Sequence, residues 1–285
     1  MKLLALAFAL SSLYGNPQRV DIDGFTADAQ EPCISLDGQT LYWSGKNDSD
    51  ATAHIYWAKL GPNGRFKFAG RINSIFTKAR EMAPSLDSSG RMYFTATETF
   101  AADHHTIYWT QGSARPRAVL GDISDGCGID LGRGLFTLNM DCGVSPDGNT
   151  LILSRADFGI GKAGPHRSKL FFARKQADGS FRRDPNSEML LREVNTMPLQ
   201  YAPAITQDGL ELYFTRLRPG EPPTTETMVA VRRFAREPFG KPTRIDAIEG
   251  FAEAPSITLD QKHLYFHQLD PVSKRFYIYR LTRHD

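Results

Sequence analysis

Cysteine is scarce in this chain. Its 285 residues hold three, Cys33, Cys127 and Cys142. None stands in a C-x-x-C pair or at zinc spacing with histidine, which excludes a thiolate metal centre and a redox dithiol. In an exported chain Cys127 and Cys142 are the candidate bridge, which leaves Cys33 free. A charge excess of either sign is also missing: 34 basic residues face 32 acidic ones, for a net charge of +2. That balance gives no electrostatic footprint for nucleic acid or an anionic membrane. The only adjacent arginine pairs, Arg182-Arg183 and Arg232-Arg233, read as solvated loops or strand edges. Long apolar runs are absent too. The longest, Leu3 to Leu10, falls short of the ~20 residues a membrane span needs. It follows Lys2 and precedes Ser11-Ser12, the order of a secretory leader. Leu13-Tyr14-Gly15 departs from the usual A-x-A cleavage pattern, and no cysteine follows to carry a lipid anchor. The expectation is a leader over 1–15, a single domain over 16–285, and a periplasmic or secreted location.

What the chain does have is repetition. Pro32 opens "PCISLDGQTLYW", Pro84 "PSLDSSGRMYF", Pro203 "PAITQDGLELYF" and Pro255 "PSITLDQKHLYF"; Cys142 opens a fifth copy, "CGVSPDGNTLIL". Each reads as a strand, a tight turn and a second strand, with Asp-Gly the strongest short-range hairpin signal. An aromatic run follows each hairpin: 54–60, 106–111, 169–175, 228–234 and 276–282. A shorter run then follows in four units, at 66–72, 117–123, 188–194 and 243–248. The fifth unit lacks this last run, and the chain starts with a spare one, "RVDID" at 19–23. Five four-stranded units with a displaced N-terminal strand predict an all-β, five-bladed β-propeller closed by pairing 19–23 with 276–282, because an open ring would leave unpaired edges.

The phrase P-x-I-(S/T)-x-D-G-x-x-L-Y-F, followed by Ser or Thr and sometimes Arg, resembles the WD40-like propeller repeat of the TolB type, over residues 19 to 282. "EPFGKPTRID" (237–246) resembles the segment between blades in exported bacterial proteins of this kind. The resemblance implies a periplasmic or secreted setting and no single activity.

In a propeller the segments that lead into the innermost strands gather around the central channel on one face. Four of the five carry a carboxylate: Glu31, Glu81, Asp141 and Glu253; the fifth offers Tyr201 as a stacking surface. Arg80, Arg155 and Arg216 fall close by in the pattern and are expected to compensate the acids. One reading makes the carboxylates strand caps that hold blades in register. The sharper reading makes them a ligand-binding funnel. Five-bladed glycosidases of the arabinanase type place acids in the same funnel, and their chemistry needs two carboxylates ~5 to ~9.5 Å apart. The analogy is architectural, since none of that family's motifs is present.

Other candidates carry less. "GKNDSDATAH" (45–54) is acidic but lacks the spacing of a calcium loop. His104-His105 is an isolated pair. "ADFGIGKAGPHR" (156–167), read as a loop, does not sit between a strand and a helix and is no phosphate loop. No serine or cysteine sits in a nucleophile motif. No cofactor and no metal is expected. The functional expectation is non-catalytic binding of a protein, peptide or glycan at the channel mouth by a monomer. The alternatives are a carbohydrate hydrolase or lyase using funnel carboxylates, and a scaffold in a cell-envelope assembly.

Overall fold

A computed structural model describes residues 14–46, 53–75, 77, 79–220, 223–284. The chain forms five sheets in a ring, a five-bladed β-propeller whose blades are built from antiparallel hairpins. Blade 1 holds β3 (Gln30–Ile34), β4 (Thr40–Ser44), β5 (Ile55–Leu60) and β6 (Phe66–Arg71), from channel to rim. Blade 2 holds β7 (Glu81–Leu86), β8 (Arg91–Ala96), β9 (Ile107–Gln111) and β10 (Arg117–Ala118). Blade 3 holds β12 (Leu135–Val144), β13 (Thr150–Gly159), β14 (Pro165–Lys175) and β15 (Phe181–Arg183), with an extra strand β11 (Gly128–Asp130) beside β12. Blade 4 holds β16 (Gln200–Ile205), β17 (Glu211–Arg218), β18 (Thr224–Val231) and β19 (Thr243–Arg244). Blade 5 holds β20 (Ala252–Ile257), β21 (His263–Leu269) and β22 (Phe276–Thr282), completed by β1 (Gln18–Arg19).

The repeated hairpin is the inner half of every blade. Gly38, Gly148 and Gly209 sit at φ of 69°, 68° and 69°, the left-handed region that the Asp-Gly turn requires. In blade 5 Gln261 takes that place at φ 59°. The acid of each turn also accepts a side-chain hydroxyl from two residues upstream: Ser35 to Asp37, Ser145 to Asp147, Thr206 to Asp208 and Thr258 to Asp260. The strand aromatics pack between blades. Trp43, Tyr93, Tyr213, Phe94, Phe214 and Phe266 are fully buried, in clusters that each join neighbouring sheets.

Closure uses the N-terminus, in a register different from the expected one. Gln18 and Arg19 pair antiparallel with Arg280 and Tyr279, and Tyr14 bridges Arg283. Residues 22–23 leave that sheet. They form β2 (Ile22–Asp23), which pairs in parallel with Phe66 and Lys67 of blade 1. The N-terminal segment therefore stitches blade 5 to blade 1. Arg65, reaching Asp21 at 2.6 Å and Asp23 at 2.6 Å, holds it from outside.

Several other expectations shift. The outer strand of blade 3 is 181–183, and the run at 188–194 begins in a helical turn, α2 (Ser187–Leu190). Its apolar residues Leu190, Leu191 and Val194 recur at helical spacing and all enter the core between blades 3 and 4. Most of 156–167 continues β13 and β14, with Ala156 opposite Ser168 and Asp157 opposite Arg167, so the connecting loop shrinks to 160–164. A short helix, α1 (Phe100–Asp103), lies between β8 and β9. Arg232 is buried rather than solvated, its guanidinium 4.3 Å from the Phe239 ring and bonded to the Gly209 carbonyl. All three cysteines are free thiols. Cys142 points into the core between blades 2 and 3, while Cys127 lies in the loop under Arg155, so each is committed to a different environment. Of the acidic stretch 45–54, residues 47–52 lie outside the described residues.

Candidate functional site: the central channel

Four inner strands enter the channel through the same strained device. The residue before each anchoring proline adopts positive φ: Glu31 at 50°, Ala83 at 51°, Ala202 at 50° and Ala254 at 56°. The pairing register skips two residues at each of these points, between Gln30 and Cys33, Met82 and Ser85, Tyr201 and Ala204, and Glu253 and Ser256. Such a conformation costs a non-glycine residue ~1 kcal/mol or more, so it persists only where surroundings over-determine it. Here the amide exposed by each bulge is held by a preceding blade. The Glu31 amide donates to His267 Nδ1 (3.0 Å), and the Ala83 amide donates to Glu31 Oε2 (2.9 Å) and Ser44 Oγ (3.1 Å). The Ala202 amide donates to Asp141 Oδ2 (3.0 Å), and the Ala254 amide to Thr215 Oγ1 (3.0 Å). In blade 3, where Cys142 replaces the proline, the bulge is one residue and the tie runs the other way: Thr95 Oγ1 donates to the Met140 carbonyl (2.8 Å).

These ties decide which acids face the channel. Glu31 and Asp141 stand directly before their anchors and line the channel with Ala83, Ala202 and Ala254. Glu253 stands one position earlier and Glu81 two positions earlier. The two-residue bulge between Met82 and Ser85 separates Glu81 from its anchor, and its side chain turns into the wall. It is fully buried, bonded to His54 Nδ1 at 2.6 Å and to the Thr77 amide at 2.6 Å. Three of the four acids thus converge, and the fourth braces the wall between blades 1 and 2.

Arg155 and Arg216 do not compensate the converging acids as expected. Arg155 spends its guanidinium on the carbonyls of Ile123 and Asp125 and on Asn139 Oδ1, pinning the 123–125 loop. Arg216 reaches the Val194 carbonyl at 3.5 Å. Both are pushed down in pKa by burial. Arg80 is half-buried, and its carbonyl accepts from the Thr97 amide. The acids are satisfied instead by short-range polar partners. Ser44 Oγ donates to Glu31 Oε2 at 2.7 Å, and Glu253 accepts from the Tyr201 hydroxyl and lies 3.2 Å from His267 Nε2. Among the described residues no cation acts on Asp141. Burial first, and then the neighbouring Glu31 carboxylate, push its pKa up to about 7. Tyr201 is raised well above its ordinary value, by burial and then by Glu253.

The cavity at the channel is about 60 Å³. That admits a few waters and falls far below the 300–1,000 Å³ of ordinary ligand pockets. Met82, Met140, Tyr201 and Glu253, all half-buried, stand on the segments that lead into the inner strands, just outside the cavity lining. Among the described residues no group of three or more His, Cys, Asp or Glu is arranged to hold a metal ion.

Ser44, Thr215, His267 and His54 were not singled out as site residues. The first three have a signal: they stand where each hairpin's second strand continues past its aromatic residue, as in Trp43-Ser44, Phe214-Thr215 and Phe266-His267. His54 has none, because its partner Glu81 comes from another blade.

No protein-family model and no curated protein matches the sequence. Solved structures do match in fold. An exo-1,5-α-L-arabinanase from a bovine ruminal metagenomic library aligns with a TM-score of 0.58 at 12% identity, covering 91% of this chain and 94% of that one. The catalytic domain of the Coprinopsis cinerea GH62 α-L-arabinofuranosidase aligns with a TM-score of 0.55 at 12% identity, covering 96% and 98%. TolB from Acinetobacter baumannii aligns with a TM-score of 0.46 at 15% identity; it covers 90% of this chain, which spans only 56% of TolB. The chain is a β-propeller whose structural neighbours include both TolB proteins and glycoside hydrolases.

Proposed function

We propose that this chain is an exported, non-catalytic binding propeller that seats a protein or peptide segment across the channel mouth. The observation that carries the reading is the commitment of the acids. Glu31 and Asp141 each bind a strained amide of another blade, above a channel of about 60 Å³. Groups that hold the ring together are poorly suited to moving protons on a substrate. The mouth combines Met82 and Met140, whose flexible thioethers adapt to varied apolar partners, with Tyr201 and the acid Glu253. That mixture suits an apolar segment with a basic group. This reading goes with a leader over the first residues and a periplasmic or secreted location after export. Among the described residues no helix is long and apolar enough to cross a membrane.

One observation favours a carbohydrate hydrolase as a second reading. Burial, and then the neighbouring Glu31 carboxylate, raise Asp141 to about 7, and a carboxyl that keeps its proton near neutrality is what the general acid of glycoside hydrolysis needs. Peptide-display selection and a polysaccharide-hydrolysis screen on the purified protein separate the two. Under the first reading selected peptides bind, Glu253→Gln weakens them about tenfold, and no polysaccharide is cleaved. Turnover abolished by Asp141→Asn, with Glu81→Gln still active, would establish the second reading and overturn the first.

A further inference from the structure

A larger concavity lies at the opposite end of the molecule, between blades 2 and 3, where the hairpin turns gather. It encloses about 580 Å³ and is lined by Arg91, Tyr93, Trp109, Arg117, Leu120 and Lys175, among others. Register explains the assembly. Tyr93, Trp109 and Arg117 stand opposite one another on β8, β9 and β10, so they share one face of blade 2. Arg91 packs its guanidinium 4.3 Å from the Trp109 ring centroid, and Arg117 lies 5.6 Å from it on the same residue. Lys175 approaches from blade 3.

Three cations thus face one lining acid, Asp178, whose carboxylate already accepts from the Ser180 amide and hydroxyl. The nearby Asp87 spends Oδ1 on the Ser89 amide, the Ser89 hydroxyl and the Arg91 amide rather than on a guanidinium. In a chain with a net charge of only +2, this is a local excess. Two lining groups, Arg91 Nε and the hydroxyl of fully buried Tyr93, lie within reach of each other, and among the described residues neither makes a hydrogen bond of good geometry. Buried donors of this kind normally find an acceptor. Beside them Leu120 is 66% exposed, an apolar side chain left in water at the edge of a basic concavity.

We propose that this groove is a second binding site, independent of the channel, that takes an acidic peptide segment carrying an apolar side chain. Carboxylates accept from the Arg91, Arg117 and Lys175 heads in charge-assisted bonds, and the apolar side chain covers Leu120. An acidic sugar fits less well, because stacking would need a Trp109 face against which Arg91 already packs. The volume lies within the range of ordinary ligand pockets. The charge of the two sites is opposite: acidic at the channel mouth, basic here.

Isothermal titration of the full chain with the hexapeptide Glu-Leu-Glu-Glu-Leu-Glu tests the site. Arg117 is exposed and Lys175 half-buried at a strand end, so the Arg117→Ala/Lys175→Ala variant is expected to fold, with its melting temperature as the control. The peptide is expected to bind the native chain, and the double variant to weaken it at least about tenfold, with a shallower salt dependence. Glu253→Gln, in the channel mouth, should leave binding unchanged, so failure here is distinct from failure of the funnel reading. Equal binding by the double variant, equal binding of the Gln-Leu-Gln-Gln-Leu-Gln peptide, tighter binding of an oligouronate, or no binding at millimolar peptide would each overturn the proposal.

Discussion

Tyr14 is the residue on which closure of the ring can be measured. It bridges Arg283, and the next residue, Gly15, donates its amide to the Thr282 carbonyl at 3.0 Å. Its ring is 7% exposed, in a cluster with Val229, Ile248 and Leu281. Its hydroxyl pairs with Tyr213 at 2.9 Å, and Tyr213 donates in turn to Glu211 at 2.6 Å. Burial pushes the Tyr14 hydroxyl up to about 12, so it stays neutral in any ordinary buffer. Tyr14→Ala deletes a buried aromatic ring, a loss of ~3–5 kcal/mol. Tyr14→Phe keeps the ring and removes one hydrogen bond, ~1 kcal/mol, because Tyr213 retains Glu211. For a domain of this size each kcal/mol moves the melting temperature by about 2 °C. Calorimetry should therefore find Tyr14→Ala lower by roughly 6–10 °C and Tyr14→Phe by about 2 °C. A Tyr14→Ala protein that melts with the native one would mean the N-terminal segment does not close the ring, and the pairing argument would fail. N-terminal sequencing of exported protein should find Tyr14 present, since cleavage after Gly15 would remove the same contacts.

Two further outcomes follow from the site and the thiols. Asp141 is raised from the ordinary aspartate range to about 7, so the folded state holds a proton that the unfolded chain releases near pH 4. Stability is therefore lost as pH rises between about 4 and about 7, and Asp141→Asn should be more stable than the native protein by a few kcal/mol at pH 8 and equal to it near pH 4; a difference independent of pH would refute this. In non-reducing mass spectrometry all three cysteines should be free, and in the native state Cys127 should alkylate before Cys33 and Cys142, both buried with their thiols raised by burial; a 127–142 disulfide would contradict the packing.

The sequence by itself determined the number of blades, the inner hairpins and the need for an N-terminal closing strand. Those features are local, or arise from a pattern written five times: an Asp-Gly turn and a period-two strand need no distant partner to be recognised. The positions of the acids relative to the anchor were also readable. Glu31 and Asp141 precede it directly, Glu253 by one more residue and Glu81 by two more, but the burial of Glu81 against His54 and Thr77 is not readable from that offset. Tertiary structure decided what the sequence could not express. Whether Arg155 and Arg216 reach a carboxylate or a carbonyl depends on loops and neighbouring strands that the repeat does not encode. Residues 22–23 pair with blade 1 rather than blade 5 because the segment that closes the ring meets two edges at once. The strained amides before the prolines, the rise of Asp141 and the basic groove beneath Trp109 all arise between blades. There, side chains separated by tens or hundreds of residues meet in a low-dielectric interior, and only their mutual geometry sets the energies.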